Sequence, residues 1–132
     1  MIMQKIIIAS GPVIVKDGKV LLDIQGDDNF WKFCGGKIQE NENLSSTAKR
    51  RAKEELGIDI EIKNPEAFLL HIKQEKDGED YDVILAHFLS DFTGEIITGN
   101  GVREWDWHSL ENLPDNIAPN ILPTLKHFGF IK

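Results

Sequence analysis

The sequence predicts an α/β fold: a mixed central sheet with helices on both faces, in a single domain over residues 1–132. Three observations predict it. Apolar, β-branched runs recur along the chain, with Asp-Gly turn signals at Asp17-Gly18 and Asp77-Gly78. One long amphipathic stretch lies between Asn43 and Gly57. A shorter one, Ile121–Phe128, is closed by Gly129. Strands that precede, separate and follow two helices place helix layers on a sheet.

The elements follow in order. Lys5–Ser10 and Pro12–Val15 are apolar and β-branched, hence strands, and Val20–Ile24 returns after Asp17-Gly18. Asp27-Asp28-Asn29 reads as a loop. Trp31 and Phe33 alternate with polar neighbours, as in a short strand leading into Gly35-Gly36. Asn43 is the expected helix N-cap and Gly57 the glycine beyond the last turn, with about 13 helical residues between. Ile58–Lys63 and Phe68–Gln74 read as strands, and Val83–Leu89 returns from the second Asp-Gly turn. Gly94-Glu95 and Asn100-Gly101 flank a short apolar piece, Ile96–Ile97. Glu104–His108 is a Trp-rich strand, and Ser109–Leu113 is expected to make one helical turn before the last helix.

A chain of 132 residues, 41% hydrophobic and 28% charged, suffices for one packed core. Its net charge of −7 repels a polyphosphate backbone and argues against long nucleic acid. A small nucleotide remains compatible, because a bound divalent ion reverses the local sign. A single cysteine, Cys34, excludes an internal disulfide and fits a reducing cytoplasm. The opening run is broken by Ser10, Gly11 and Pro12 and reads as strand, not as a signal peptide. No segment has the length to span a membrane.

The long helix carries the informative charges. On a wheel of ~100° per residue, Leu44, Ala48, Ala52 and Leu56 share an arc of about 120°. Ser45, Ser46, Lys49 and Lys53 take the opposite side. Glu55 falls on the edge of the apolar arc, with Arg51 beside it and Glu54 about 60° further on. An unpaired buried carboxylate costs several kcal/mol, roughly, so something must compensate Glu55. A divalent cation and Arg51, four residues earlier, are the two candidates.

Gly36, Glu42, Arg50, Glu54-Glu55, Gly57 and Ile58 together resemble the Nudix box, Gly-x5-Glu-x7-Arg-Glu-U-x-Glu-Glu-x-Gly-U, where U is bulky and aliphatic. The upstream Trp31-Lys32-Phe33-Cys34-Gly35-Gly36 extends the likeness. The resemblance implies a Nudix-type α/β/α sandwich. It also implies hydrolysis of a nucleoside diphosphate linked to another group, with Mg²⁺ or Mn²⁺ as cofactor. By matching position, Glu54, Glu55 and the Gly36 carbonyl would hold the metal. Arg50 would orient a box glutamate, giving Arg50 and Glu54 catalytic roles, and Glu42 would support them. Gly35 would let backbone approach the phosphates. Lys37, Phe33, Trp105 and Asn120 are the further substrate-binding candidates. Asn120 stands where MutT-like proteins carry a base-reading asparagine; a helix cap is its alternative. Trp31 and Trp107 are expected in the core.

One position departs from the box. Arg51 stands where the family has a glutamate, and a guanidinium serves as neither oxygen ligand nor base. Either a later carboxylate supplies the base, with Glu104 first and Glu79 and Glu95 behind it, or Arg51 bridges Glu54 and Glu55 and displaces the metal. His71, His87, His108 and His127 lack metal-ligand spacing, and Cys34 reads as a small buried residue. The reading is a MutT-like hydrolase of a nucleoside di- or triphosphate. Its alternative is a silent domain that senses nucleotide or docks a protein. A second copy of the chain, as a homodimer, is a compatible partner.

Overall fold

The structure is a computed structural model, and it describes residues 5–99 and 101–132. The strands are β1 (Ile6–Val13), β2 (Val15–Lys16), β3 (Lys19–Gln25), β4 (Gly36–Lys37), β5 (Asp59–Ile62), β6 (Phe68–Lys76), β7 (Glu79–Thr93) and β8 (Val102–Ser109). Helix α1 is Leu44–Leu56 and α2 is Ile121–His127. The predicted Asn100-Gly101 turn falls partly outside the described residues, because Asn100 is not among them.

The sheet is mixed, as expected, but the strands divide into two sheets. β4, β1, β7 and β5 lie in sequence, with β6 also on β7. β1 runs parallel to β7, from Ile6 opposite Asp82 to Val13 opposite Leu89, and the other pairings are antiparallel. β2, β3 and β8 make the smaller sheet. Only Ile14 separates β1 from β2, so the chain passes directly from one sheet to the other. Positive φ at Asp17 (53°) and Gly18 (75°) closes the β2–β3 hairpin, the backbone that an Asp-Gly turn supplies.

Helices cover both faces. Along β3, Val20 and Leu22 cluster with Ile121 and Leu125 of α2, whereas Leu21 clusters with Ala52 and Leu56 of α1. The period of two in a strand thus assigns alternate residues to alternate layers. Among the described residues, no helix is long and apolar enough to cross a membrane.

Helix α1 begins and ends as its sequence predicts. Asn43 Oδ1 accepts from the Ser46 amide at 2.9 Å, and the Asn43 amide donates to Ser46 Oγ at 3.0 Å. This reciprocal cap satisfies two donors of the first turn. Gly57, at φ 69°, closes the helix with its amide on the Lys53 carbonyl. Ser10 Oγ donates to the Leu44 carbonyl at 2.7 Å and ties β1 to the start of α1.

Three expectations need correction. Trp31–Phe33 is not a continuous strand: Trp31 and Lys32 make single bridges to Ile117 and Asp23. Ser109–Leu113 is not a helical turn. Ser109 ends β8 and a hydrogen-bonded turn follows, because so short a segment gains too few helical bonds to offset nucleation, and the turn already packs Leu110 and Leu113 on the core. The predicted break at Ser10-Gly11-Pro12 is absent, since β1 runs through it. Gly11 there packs on the Cys34–Gly35 backbone so closely that a side chain at this position would overlap the Cys34 carbonyl.

Candidate active site

Arg50 organises the outer part of the site. Its Nε donates to Glu42 Oε2 at 2.6 Å and its Nη2 to Glu42 Oε1 at 3.0 Å. Nη1 donates to Glu54 Oε1 at 2.6 Å, and Nη2 also reaches the Lys37 carbonyl at 3.0 Å. The guanidinium thereby joins α1 to β4 and to the turn that precedes the helix. Glu42 also accepts from the Gln39 amide and Thr47 Oγ1, each at 2.9 Å. These bonds, the one to Arg50 foremost, hold its carboxyl down at about 2.

Glu55 forms the inner part and is fully buried, as its place on the helical wheel predicts. Its Oε2 accepts from the Gly35 amide at 3.0 Å and from Cys34 Sγ at 2.9 Å. Its Oε1 accepts from Gln25 Nε2, and from Arg51 Nη2 at 2.5 Å. Of the two candidate compensators, Arg51 is therefore one that the fold supplies. Arg51 Nη1 also stands 3.8 Å from Glu54 Oε1. Its guanidinium lies against Gly36: a Cβ there would be 2.7 Å from Arg51 Cζ. The buried Arg51 Nε has no hydrogen-bond partner among the described residues.

Beside Glu55 is an acid that the sequence reading passed over. Asp23 on β3 is 1% exposed, and among the described residues neither of its carboxyl oxygens has a hydrogen-bond partner. Burial, reinforced by the Glu55 charge, pushes its carboxyl up to about 7. The same two causes push the Cys34 thiol well up. Asp23, Cys34 and Glu55 each offer a ligand atom, all within 4.8 Å of one another. The signal was present in Val20-Leu21-Leu22-Asp23-Ile24: a strand apolar on both faces buries whatever acid it contains.

The structure brings some candidates together and separates others. In β8, Trp105 lies opposite Asp23 and Glu104 opposite Ile24. Directly opposed residues share a face, so Trp105 sits on the Asp23 side while Glu104 points to the other layer. Glu104 is thus not brought to the Glu54–Glu55 pair. Glu79 is engaged with Lys5, and Glu95 lies exposed in the β7–β8 connection. Trp31 packs edge-on against His108 and Trp107 lies over Phe92, the core roles expected. His71 pairs with Asp82 at 2.7 Å and His127 stacks on Phe68; among the described residues no histidine joins a metal-ligand cluster.

A cavity of about 440 Å³ adjoins this site, and Cys34, Gly35 and Gly36 belong to its wall. Phe33 and Asn120 also line it, with Lys32, Lys73 and His87, which the sequence reading did not select. Lys37 is exposed and lines a separate recess beside Ile6–Ile8. Asn120 makes no side-chain cap on α2. Instead its Nδ2 lies 2.9 Å from His87 Nε2, while His87 Nδ1 lies 2.9 Å from the Phe68 carbonyl. Burial lowers the His87 pKa and favours the neutral ring. A carbonyl accepts only, so Nδ1 carries the proton and Nε2 accepts from Asn120.

Comparison with known proteins bears on this arrangement. The family model described as the NUDIX domain matches residues 7–128. The chain is similar to an ADP-ribose pyrophosphatase of Methanocaldococcus jannaschii, 27% identical over 111 residues, covering 81% of this chain and 64% of that protein. A CTP pyrophosphohydrolase of Escherichia coli is 36% identical over 63 residues, 45% of this chain and 47% of that protein. The chain thus spans less than two thirds of the length of either relative. A MutT NUDIX hydrolase of Burkholderia pseudomallei shares the fold, with a TM-score of 0.77 at 23% identity, over 93% of this chain and 98% of that one.

Proposed function

We propose, from the premise that the chain belongs to the NUDIX domain family, that it is a pyrophosphohydrolase. It would cleave a nucleoside di- or triphosphate derivative with a divalent cation, Mg²⁺ or Mn²⁺. The observation that carries the reading is Asp23 beside Glu55. A buried carboxyl with no hydrogen-bond partner among the described residues, next to a second buried acid, fits a cation that neither Gln25 nor Arg51 replaces. Glu55 and Asp23 would hold that cation, with Glu54 at the exposed rim. Such an ion, when bound, polarises the phosphoryl group, orients water and offsets the charge of the leaving group.

The remaining roles belong to the chain itself. Arg50 fixes Glu54 and Glu42 through charge-assisted bonds, so the rim carboxylate is pre-oriented. Gly35 and Gly36 present backbone to the phosphates, and Lys32 and Lys73 line the same cavity with positive charge. Phe33 and Asn120 would meet the base, and Trp105 would flank the ion on the Asp23 side. A cavity of about 440 Å³ suits one nucleoside better than two, which supports an NTP-like substrate. The names of the two relatives, for ADP-ribose and for CTP, both denote compounds with a nucleoside diphosphate core. The partner proposed is accordingly a small nucleotide, and the location proposed is the cytoplasm.

One observation favours a second reading. Arg51 already neutralises Glu55 and covers Gly36. A domain whose own guanidinium fills the cation's place would bind nucleotide without hydrolysing it. Release of nucleoside monophosphate from a panel of nucleoside triphosphates and nucleoside diphosphate derivatives, with and without Mg²⁺, separates the two. Mg²⁺-dependent release with any of them supports the enzyme. Nucleotide binding without release supports the silent domain.

A further inference from the structure

We propose that His87 is a positioning residue for base selection. It fixes the Asn120 amide so that the oxygen, Oδ1, meets an incoming base, and the cavity thereby favours a base with an exocyclic amine, adenine or cytosine, over its keto counterpart. The inference rests on the reading that a nucleotide occupies the cavity lined by Phe33 and Asn120. It goes further by naming the chemical group that is read and the residue that sets the choice.

His87 is 3% exposed and lies in β7 opposite Gly11 of β1 and Phe68 of β6. The rings of Phe33 and Phe68 stand 5.7 Å and 5.9 Å from its own and hold it in place. Each ring nitrogen has its own partner. Nδ1 is 2.9 Å from the Phe68 carbonyl, and Nε2 is 2.9 Å from Asn120 Nδ2. The carbonyl accepts only, so Nδ1 carries the hydrogen and Nε2 of the neutral ring is bare. Burial favours that neutral ring. A bare nitrogen accepts only, so the arm of Asn120 that meets it is the NH2. One backbone carbonyl in β6 thus sets the sense of both bonds, and Oδ1 takes the side of the amide away from His87.

The backbone of Asn120 is held as firmly. Its carbonyl accepts from Oγ1 of the buried Thr124 at 2.6 Å, and the Ala118 amide donates to the Trp31 carbonyl at 2.8 Å. Asparagine is among the best side chains for capping a helix, yet Asn120 makes no such cap on α2. A histidine kept only to satisfy the Phe68 carbonyl accounts for Nδ1. It accounts neither for the bond at Nε2 nor for the forgone cap. The fixed amide has a chemical preference. The base edge furthest from the sugar carries the exocyclic group, an amine in adenine and cytosine, a keto oxygen in hypoxanthine and uracil. Oδ1 accepts from the amine, and the second hydrogen of Nδ2 suits the bare ring nitrogen beside it. A keto oxygen there sets acceptor against acceptor and leaves both unpaired. Turning the amide over would suit the keto bases, and His87 opposes that turn.

The test pairs nucleotides that differ only in this exchange, ATP with ITP and CTP with UTP. Each is titrated into the full chain with Ca²⁺ as the cation, to slow turnover, and its Kd is read. The amino member of each pair is expected to bind about tenfold more tightly or better. In His87→Leu both ratios should narrow to about twofold or less, because a released amide turns to suit either base. ITP should still bind that variant, and its circular dichroism should stay native. Nitrogen–proton NMR of the wild-type chain should place the ring hydrogen on Nδ1. Equal affinities within the pairs overturn the proposal, and so does a tighter keto member or a neutral ring with its hydrogen on Nε2; none of these needs a variant. Unchanged ratios in a natively folded His87→Leu overturn it as well. The titrations contain no turnover. A chain that shows the preference but releases no nucleoside monophosphate sinks the hydrolase reading alone, and one that hydrolyses nucleotides with equal affinities sinks this proposal alone. A chain that binds none of the four overturns both.

Discussion

Arg51 and Glu55 face each other one turn apart on α1, Nη2 to Oε1 at 2.5 Å, with Glu55 fully buried. The pair lies where the Nudix pattern places glutamate and metal. Its energetics are asymmetric. The pair is tolerable together, whereas Glu55 without Arg51 is a buried charge lacking its counter-ion, and Arg51 without Glu55 keeps only the more distant Glu54.

Glu55→Gln is therefore expected to abolish metal-dependent turnover, by about a hundredfold or more, because a neutral amide holds a cation poorly. Arg51 loses its counter-charge in the same variant, so stability falls by about 1–3 kcal/mol while the fold persists. Pyrophosphate release and urea denaturation measure the two effects separately. Near-normal turnover would place the chemistry elsewhere.

Arg51→Glu completes the family pattern. It should raise Mg²⁺-dependent turnover if the wild-type chain is held back by the guanidinium. Without metal it brings a third acid to Glu55 and Asp23 and should cost about 3 kcal/mol or more. Mg²⁺ should restore much of that loss, since it binds the folded state. Melting temperatures with and without Mg²⁺ decide it; a variant neither more active nor more metal-dependent shows that Arg51 does not stand in a metal site.

The Glu42–Arg50 clamp sets an acid limit. The Glu42 carboxyl sits at about 2 in the fold against its ordinary 4.5. A depressed carboxylate stabilises the fold in full above its unfolded value, and the contribution fades as pH falls from 4.5 toward 2. Denaturation midpoints followed down through that window should drop more steeply for wild type than for Glu42→Gln. Parallel curves would remove Glu42 from the account.

Asn120→Ala tests the cavity. Loss of one hydrogen bond to a base, about 1 kcal/mol, should raise KM about fivefold and leave kcat nearly unchanged. The same variant frees His87 Nε2, so the His87 ring resonances should shift in NMR spectra. An unchanged KM for every nucleotide tried assigns Asn120 a structural role only.

Gly11→Ala should be among the most damaging changes at an uncharged residue. Its methyl would overlap the Cys34 carbonyl, which is backbone and cannot swing aside. A loss of about 3 kcal/mol or more is expected, read as a fall in melting temperature. A normal melting temperature would contradict the close packing of β1 on this segment.

What could be read from the sequence depended on how local its cause was. Asn43, Gly57 and the two Asp-Gly turns act within a few residues, and each closed the element it predicted. Glu55 was legible from helical period alone. The apolar run around Asp23 implies its burial, but its site neighbours Glu55 and Trp105 come from α1 and β8, and no spacing within β3 names those partners. The same holds for Glu104. Its chain position suggested a base, and its pairing with Ile24 turned it to the other layer. Asn120 looked like a cap until His87, from β7, appeared as its partner. Trp31–Phe33 alternated like a strand, but the sheet offered it only single bridges.

The parallel pairing of β1 with β7 also governs how the chain comes into being. β1 is synthesised before its long partner, Asp82–Leu89, which follows only after α1, β5 and β6. Until then its one earlier strand partner among the described residues is β4, paired at Ala9 and Ser10, with the Ile38 amide on the Ile8 carbonyl. The nascent chain thus carries Ile6-Ile7-Ile8 with an open strand edge until β7 is made, the condition under which strands pair with the wrong partner. Folding is gated by the arrival of β7. A ribosome stalled before Asp82 would hold a fragment in which α1 can coil but the sheet beneath it cannot form.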